Sequence, residues 1–273
     1  MNRLAADLSD APVSGEAARE NRAEAPIAGR NSHAPAAGDP TRTPVSGPLP
    51  RTPVSGDPAT ASEDLLRLVQ WLSPAFPLGS FAYSHGLEWA ISAGDVTDPT
   101  SLSGWLSDLL RHGTGRNDAI LCVHALRSTD SALPGLGELA MATATCRERA
   151  QETLAQGQAF CRTLAAIGGP ALPTTLPLPV ALGAAARGMA LPPDTIVTQM
   201  LHAFTSNLVT VAVRFVPLGQ TDGQRVLSGL HPTVLDVAAE ATHFTLDDLG
   251  GAFLRGDLAA IHHETMETRI FQT

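Results

Sequence analysis

Apolar residues recur every three or four positions through most of the chain after residue 60, which is the spacing of helices with one buried face. Leu102, Leu106 and Leu109 form one such set, and they fall on a single helical face. No segment sustains the strict alternation of apolar and polar residues that marks a half-buried strand. The pattern therefore predicts an all-α fold, a single helical-bundle domain of about eight to ten helices.

One predicted helix lacks the polar side that the others have. Residues 194–216 are apolar nearly all round, with Ile196, Val197 and Val213 on different faces. A helix without a polar face is a buried one, so this segment is predicted to be the central helix of the domain. The β-branched run at 209–213 leaves a short strand open as the alternative for that part.

A second long helix is predicted at residues 141–167, and its second half buries apolar residues such as Phe160. Pro134, Gly135 and Gly137 predict a loop before it. The polar residues in its first half are expected to face solvent; they are Arg147, Glu148, Arg149, Gln151 and Glu152.

The first 60 residues differ in composition from the rest of the chain. They are rich in Ala, Pro, Gly, Ser and Arg, and the hexapeptide Arg-Thr-Pro-Val-Ser-Gly occurs at 42–47 and again at 51–56. A short repeat with proline in each copy cannot bury a core face, so residues 1–60 are predicted to be a disordered extension. The folded domain then spans 61–273, with Ser62 as the cap of its first helix.

A stretch rich in proline and aromatic residues, Ser73–Glu88, connects two of the predicted helices. Pro74 and Pro77 end the first helix because proline lacks an amide hydrogen, and Gly79 allows a sharp reversal of the chain. The next helix is predicted at 80–93. A rigid connection of this kind, dense in aromatic residues, is a candidate surface for binding.

The composition excludes several classes of activity. All 18 basic residues are arginine, so the chain has no lysine for a phosphate-binding P-loop or for a Schiff base. The net charge is −9, and residues 61–273 carry about −8 of it, which disfavours binding to nucleic acid. The three cysteines are too few for a disulfide framework and are expected to be reduced thiols in a cytoplasmic protein. The chain begins without the apolar segment of a signal peptide, and no membrane association is expected.

Three groups of residues could carry chemistry, and each also has an ordinary structural interpretation. Ser84 and His85 are adjacent, and on a helix adjacent side chains point about 100° apart, which prevents a nucleophile–base pair. His85 and Glu88 lie three apart and could share a helix face as metal ligands, but two ligands do not complete a site. The run 262–264, His-His-Glu, lacks the second histidine of a zinc-protease motif. No catalytic, cofactor-binding or metal-binding residue is therefore assigned, and no cofactor is expected.

Three segments resemble motifs of one protein family. Residues 73–88, reading Ser-Pro-Ala-Phe-Pro-Leu-Gly-Ser-Phe-Ala-Tyr-Ser-His-Gly-Leu-Glu, resemble the first motif of the urease accessory protein UreF family. Residues 213–224, reading Val-Arg-Phe-Val-Pro-Leu-Gly-Gln-Thr-Asp-Gly-Gln, resemble a second motif, and His-Glu at 263–264 with Arg-Ile-Phe at 269–271 resembles the ending of the family. The sequence departs from that ending at Met266 and Thr268, where the family pattern has Gln and Ser.

The resemblance implies an all-helical, homodimeric protein without enzymatic activity of its own. Members of this family bridge a second accessory protein, UreD (also called UreH), and the GTPase UreG to apo-urease, and they modulate GTP hydrolysis and nickel insertion. By the same resemblance, residues 257–273 form a tail that docks on UreD/UreH. The partner-binding residues that the resemblance and the motifs imply are Pro77, Gly79, Phe81, Tyr83, His85, Glu88, Gln220, Gln224, His263, Glu264, Arg269, Ile270 and Phe271.

Two other classes of function remain open at this point. A helical metal-binding enzyme could take His85, Glu88, His262 and Glu264 as its ligands, since histidine and carboxylate are common metal ligands. Alternatively, the domain could be a helical dimerisation module unrelated to urease.

Overall fold

The computed structural model describes residues 57–216 and 218–273, and these residues form helices joined by short connections. None of the described residues lies in a strand, so the predicted all-α class is confirmed. The predicted disordered extension lies almost wholly outside the described residues. The α-helices of the described part are α1 (Pro58–Leu72), α2 (Leu87–Ser92), α3 (Pro99–His112), α4 (Thr114–Arg127), α5 (Leu133–Ala142), α6 (Arg147–Ala166), α7 (Leu178–Ala186), α8 (Pro193–Phe215), α9 (Gln220–Gly229), α10 (His231–Ala241) and α11 (Leu254–His263).

Helix α1 begins at Pro58, four residues before the predicted cap at Ser62. The cap is Asp57, whose carboxylate accepts a hydrogen bond from the N–H of Ala59 at 3.2 Å. Proline suits the first helical position because its missing N–H would have no partner there. Ser62 lies inside the helix, where its hydroxyl donates to the carbonyl of Pro58 at 3.0 Å.

Helix α8 is the central helix, as its sequence predicted, and it contacts α1, α2, α3, α4, α9 and α10. Its first half, which includes Leu201, packs into a core cluster with α1, α4, α6, α7 and α10. Its second half, which includes Leu208, packs into another cluster with α2, α3, α9 and α11. Helix α8 therefore joins the two clusters. Residues 209–213 are helical, so the strand alternative is wrong.

Helix α8 is also the one helix among the described residues that is long and apolar enough to cross a membrane by length and composition. Its apolar character has another explanation in this fold, because Val197 and Leu208 are completely buried against neighbouring helices. The central helix of a helical domain needs apolar residues on several faces for the same reason that a membrane helix does.

Helix α5 occupies the position where a loop was predicted. Pro134 and Gly135 lie in its first turn rather than in a turn between helices. Proline is tolerated there because the first N–H groups of a helix have no acceptor within it. Burial of Leu133 and Leu136 in the first core cluster fixes this segment as helix.

Two glycines allow helices to pack closely in the first core cluster. A Cβ atom on Gly183 of α7 would lie 2.4 Å from the carbonyl oxygen of Cys122 in α4. A Cβ atom on Gly157 of α6 would lie 2.0 Å from the carbonyl oxygen of Leu176. Both contacts are with backbone, which cannot move aside as the end of a flexible side chain can. The spacing of α4, α6 and α7 therefore depends on glycine at these positions.

Substituting Gly183→Ala should destabilise the domain by about 1–3 kcal/mol, because the added methyl group overpacks the contact between α4 and α7. The matched control is Gly104→Ala in α3, where a Cβ would meet no atom within 4 Å. That change should stabilise the domain by about 0.5–1 kcal/mol, since alanine favours a helix interior. Urea unfolding followed by circular dichroism measures both, and equal stability of the two variants would contradict the packing argument.

Candidate functional site

The segment Ser73–Glu88 contains more irregular backbone than the sequence predicted. A helix was predicted at 80–93, but the chain makes a single 3-10 turn at Ser80–Ala82 and α2 begins only at Leu87. The break is explained by His85, whose φ of 54° lies in the left-handed region that ordinary residues rarely adopt. Such a conformation is expected where the surrounding structure fixes the residue.

Gly86, the residue after this break, lets the backbone pass in close contact with helix α11. Its φ is 73°, and a Cβ there would lie 2.5 Å from the backbone nitrogen of Ala260. Only glycine fits both the conformation and the space. Because α2 starts after Gly86, His85 and Glu88 do not share a helix face, and that prediction was wrong.

The C-terminal residues of the chain lie against this segment. The N–H of Gln272 donates to the carbonyl of Ala82 at 2.7 Å, and the N–H of Ser84 donates to the main-chain oxygen of Thr273 at 2.8 Å. The hydroxyl of Ser84 donates to that same oxygen, and the N–H of His85 donates to the Thr273 hydroxyl at 3.3 Å. Ser84 is therefore bonded to the tail and is not hydrogen-bonded to the ring of His85.

Glu88 holds the tail by its backbone. One carboxylate oxygen accepts from the N–H of Ile270 at 2.8 Å, and the other accepts from the N–H of Phe271 at 3.0 Å. The second oxygen also lies 3.0 Å from Nε2 of His263. The ring of Phe271 is buried and packs against Phe215 of α8, with ring centroids 5.2 Å apart. The side chain and the backbone of the tail are thus both anchored.

His263 connects Glu88 to a second buried carboxylate. Its Nδ1 lies 2.9 Å from Oε2 of Glu148, and the other oxygen of Glu148 accepts from the guanidinium of Arg269. His263 is completely buried, and Glu148 is nearly so. Glu264 completes the contact by accepting from the backbone N–H of Glu148 at 3.1 Å. We call Glu88, Glu148, His263 and Arg269 the tail clasp.

A further set of charges, which we call the inner ion network, lies next to the tail clasp. Nε2 of His85 is 2.8 Å from Glu152, and Arg149 is 3.5 Å from the same carboxylate. Arg149 also contacts Asp118 of α4 at 2.7 Å. The Thr273 hydroxyl donates to Glu152 at 3.4 Å, so the tail reaches this network as well.

The two carboxylates of the inner ion network have pKa values shifted in opposite directions. Burial pushes the pKa of Glu152 upward, but the opposite charges of His85 and Arg149 outweigh burial and leave this pKa below its usual value. For Asp118, burial outweighs the attraction of Arg149, so its pKa lies above the usual value. Lowering the pH should therefore change the contributions of Glu152 and Asp118 to the free energy of unfolding in opposite directions.

The polar residues in the first half of α6 were predicted to face solvent, and for Glu148, Arg149 and Glu152 that prediction was wrong, because all three are buried. A signal was present in the sequence. Glu148, Glu152 and Phe160 are separated by multiples of four residues, so the charged positions continue the buried face of the helix. The partners that neutralise these charges come from the segment before α2, from α4, from α11 and from the tail, and periodicity along α6 could not indicate them.

The predicted partner-binding residues fall into an interior and an exterior set. His85, Glu88, His263 and Phe271 are buried around the docked tail. The most exposed apolar members are Phe81, at 65% of its full exposure, and Ile270, at 71%. Gly79, Tyr83 and Glu264 are partly buried, and the other exposed members are Pro77, Gln220, Gln224 and Arg269. Both glutamines are on α9, apart from the two buried charge groups.

The four residues that could have formed a metal site are held in separate contacts. His85 bonds to Glu152, while Glu88 bonds to the tail and His263. His262 is exposed and stacks on the ring of Trp89, with centroids 4.8 Å apart. Within residues 57–216 and 218–273, no group of three or more His, Cys, Asp or Glu residues has the arrangement of a metal site. The arrangement favours ion pairing over coordination.

Helix α11 carries an apolar stripe on its outer side. Leu254, Leu258 and Ile261 lie three or four residues apart and are exposed to 67%, 44% and 45%. Residues at this spacing share one helix face. The inner side of the same helix buries Ala259 and His263. Helix α11 therefore buries its inner side and exposes an apolar stripe on its outer side, and exposed apolar surface of this kind is typical of a site that contacts another molecule.

Comparison with known proteins identifies similar sequences over most of the chain. A family model described as UreF matches residues 96–231. A protein named Urease accessory protein UreF from Cereibacter sphaeroides is 58% identical over 213 residues, which are 78% of this chain and 100% of the relative. Proteins of the same name from Jannaschia sp. and Rhodopseudomonas palustris are 47% and 44% identical, and the matches cover 77% and 79% of this chain and 94% and 95% of those relatives.

Stability should fall as the pH is lowered below about 4.3, the usual pKa of glutamate, and Glu152 should account for part of the fall. Because its folded-state pKa is depressed, its contribution is present above the unfolded-state pKa and is lost as the pH falls through the folded-state pKa. Urea unfolding of wild type and Glu152→Gln between about pH 7 and about pH 3 should show a shallower decline in the variant.

Asp118→Asn is the matched control for this titration. The raised pKa of Asp118 gives it the opposite sign, so its removal should make the decline in acid steeper than in wild type. Identical pH profiles of wild type and both variants would contradict the assigned shifts.

Proposed function

The chain belongs to the UreF family of urease accessory proteins, and from this premise we propose that it serves urease maturation as a non-enzymatic scaffold. In this role it bridges UreD/UreH and the GTPase UreG to apo-urease. The observation that carries the proposal is the 58% identity to a urease accessory protein across the whole length of that relative. A chain so similar over its folded domain is expected to retain the surfaces that the shared function uses.

The arrangement of the three family-like motifs supports this role. The first motif contributes Glu88, which binds the backbone of Phe271 in the third motif at 3.0 Å. The second motif contributes Phe215, whose ring packs against Phe271 at 5.2 Å between centroids. Segments that are far apart in sequence therefore meet at one place in the fold. A common location for all three motifs is what a shared partner surface requires.

The exposed residues of this region are suited to binding another protein. Phe81 and Ile270 are large apolar residues with most of their surface in solvent, and they lie on segments joined by the hydrogen bond from Gln272 to Ala82. Apolar anchors held on ordered backbone lose little entropy when a partner covers them. We propose that this pair, with the outer side of α11, is the docking surface for UreD/UreH.

The finer parts of the proposal follow the family role. The scaffold modulates GTP hydrolysis by UreG and so helps nickel enter apo-urease in the cytoplasm. Two features are compatible with a non-enzymatic part: the chain lacks the lysine of a P-loop, and Ser84 and His85 are occupied by contacts to the tail and to Glu152. GTP hydrolysis is therefore assigned to the partner.

Single substitutions test the docking surface better than removal of the tail at residue 257. Truncation there would remove Ala259 and His263, which are completely buried, and would damage the domain itself. Ile270→Asp changes a side chain that is 71% exposed, and Leu235→Asp on α10 is a matched control at 56% exposure.

We expect Ile270→Asp to weaken retention of UreD/UreH about tenfold or more, because a buried charge replaces an apolar anchor at the interface. Leu235→Asp should retain UreD/UreH as the unaltered chain does. The measurement is quantitative co-purification with UreD/UreH and UreG. Full retention by Ile270→Asp would show that the tail is not the docking surface, and failure of the unaltered chain to retain either partner would contradict the scaffold role.

The family role also leads us to propose a homodimer. Light scattering coupled to size-exclusion chromatography should give twice the mass of the 28.4 kDa chain. A mass equal to one chain at concentrations of about 10 μM or above would contradict this proposal, because a functional dimer is expected to persist there.

A further inference from the structure

The tail clasp contains a histidine that bonds to carboxylates through both of its ring nitrogens. Nδ1 of His263 is 2.9 Å from Glu148, and Nε2 is 3.0 Å from Glu88. An ionised carboxylate can only accept hydrogen bonds, whereas a neutral imidazole has one donor and one acceptor nitrogen. Both contacts are hydrogen bonds only if both nitrogens carry hydrogen, so the closed clasp requires His263 as an imidazolium cation.

The other contacts of the two carboxylates are all with hydrogen-bond donors, so both groups act as acceptors. The second oxygen of Glu148 accepts from the guanidinium of Arg269, and Glu88 accepts from the N–H groups of Ile270 and Phe271. These are the contacts of anions, and charge-assisted bonds of this kind are shorter and stronger than neutral ones. A proton on either carboxylate would compete with these donors.

We infer that the tail clasp is a proton-dependent latch, which holds the tail closed while His263 is cationic and releases it when this histidine loses a proton. His263 has no exposed surface, so water cannot replace the lost hydrogen bond. A neutral ring has one nitrogen without hydrogen, and the lone pair of that nitrogen would face a buried carboxylate. The residues that depend on the clasp are those of the tail, since Glu88 and Glu148 hold Ile270, Phe271 and Arg269.

Charged groups approach His263 from α2, from α6 and from the tail. Glu88 approaches from α2 and Glu148 from α6, while Arg269 of the tail neutralises Glu148 from the opposite side. Glu264 accepts from the backbone of Glu148 and from Arg147, which leaves it outside the contacts of the ring. Two anions and one fixed cation therefore surround His263, and its positive charge is what balances them.

His85 provides an internal comparison, because it does not need a positive charge to keep its bond. Its Nε2 faces Glu152, and its ring packs edge-on against Phe204 at 4.7 Å between centroids. One hydrogen on Nε2 satisfies that contact in the neutral ring. Loss of a proton from His85 should therefore leave the tail in place, whereas loss from His263 should not.

The test is an NMR titration of the full chain between about pH 5 and about pH 9, which includes the range from about pH 5 to about pH 8 in which histidine ordinarily changes charge. Ring ¹⁵N shifts of His263 report its protonation, and hydrogen-exchange protection factors of the Ile270 and Phe271 amides report tail closure. We expect protection to fall about tenfold per pH unit once His263 titrates, as linkage to one proton requires. Amides of the buried helix α4 should keep their protection.

Two variants separate the latch from a general loss of stability. The glutamine of His263→Gln has a single amide group, which cannot donate to two carboxylates on opposite sides as the two ring nitrogens do. The Ile270 and Phe271 amides of this variant should therefore be unprotected from hydrogen exchange, and their protection should no longer depend on pH. The matched control, His262→Gln, alters the exposed neighbouring histidine and should keep the wild-type profile. If His263→Gln fails to fold, the wild-type titration alone decides the matter.

Either of two results would overturn the latch: a neutral His263 ring while the tail is protected, or unchanged tail protection after His263 has titrated. The readouts are made on the isolated chain, so they do not depend on UreD/UreH or UreG. If the tail responds to pH but the chain binds no partner, the latch holds and the scaffold role fails. If the chain binds its partners but the tail does not respond to pH, the scaffold role holds and the latch fails.

Discussion

The requirement that buried charges be paired governs the region where the three family-like motifs meet. Removing a charge from water is costly, and an unpaired buried charge destabilises a fold by several kcal/mol. Helix α6 alone buries two carboxylates and a guanidinium, whose partners come from the segment before α2, from α4, from α11 and from the tail. These elements must therefore come together. The charges involved are Glu88, Asp118, Glu148 and Glu152 on one side and His85, Arg149, His263 and Arg269 on the other.

Ionic contacts of this kind are a weak source of stability compared with apolar packing, and their value lies in specificity. Glu88 binds two successive backbone N–H groups, which are the same in every register, so these bonds alone do not fix the alignment of the tail. The alignment is set by side chains, because Arg269 pairs with Glu148 and Phe271 packs against Phe215. That alignment places Phe271 in the core and Ile270 in solvent. The exposed anchor and the buried clasp are consequences of the same alignment, so the structural and the partner-binding interpretations of these residues are compatible.

Periodicity predicted those features that depend on one segment at a time. The absence of a polar face identified α8 as the central helix, and the spacing of Leu102, Leu106 and Leu109 identified the buried face of α3. Periodicity failed where contacts with a distant part of the chain decide the backbone conformation. The left-handed backbone at His85 is held by contacts with Thr273, which lies 188 residues away. No local pattern contains that information, so a continuous helix at 80–93 was the natural but wrong expectation.

The sequence by itself determined the all-α class, the central helix and, through its motifs, the family to which the chain belongs. It also named His85, Glu88, His263 and the tail as residues of interest, without giving their contacts. Only the tertiary structure decided that Glu148 and Glu152 are buried and that His263 lies between two carboxylates. The physical reason is distance along the chain: His263 is 115 residues from Glu148 and 175 from Glu88. Charge pairing depends on proximity in space, which helical periodicity does not encode.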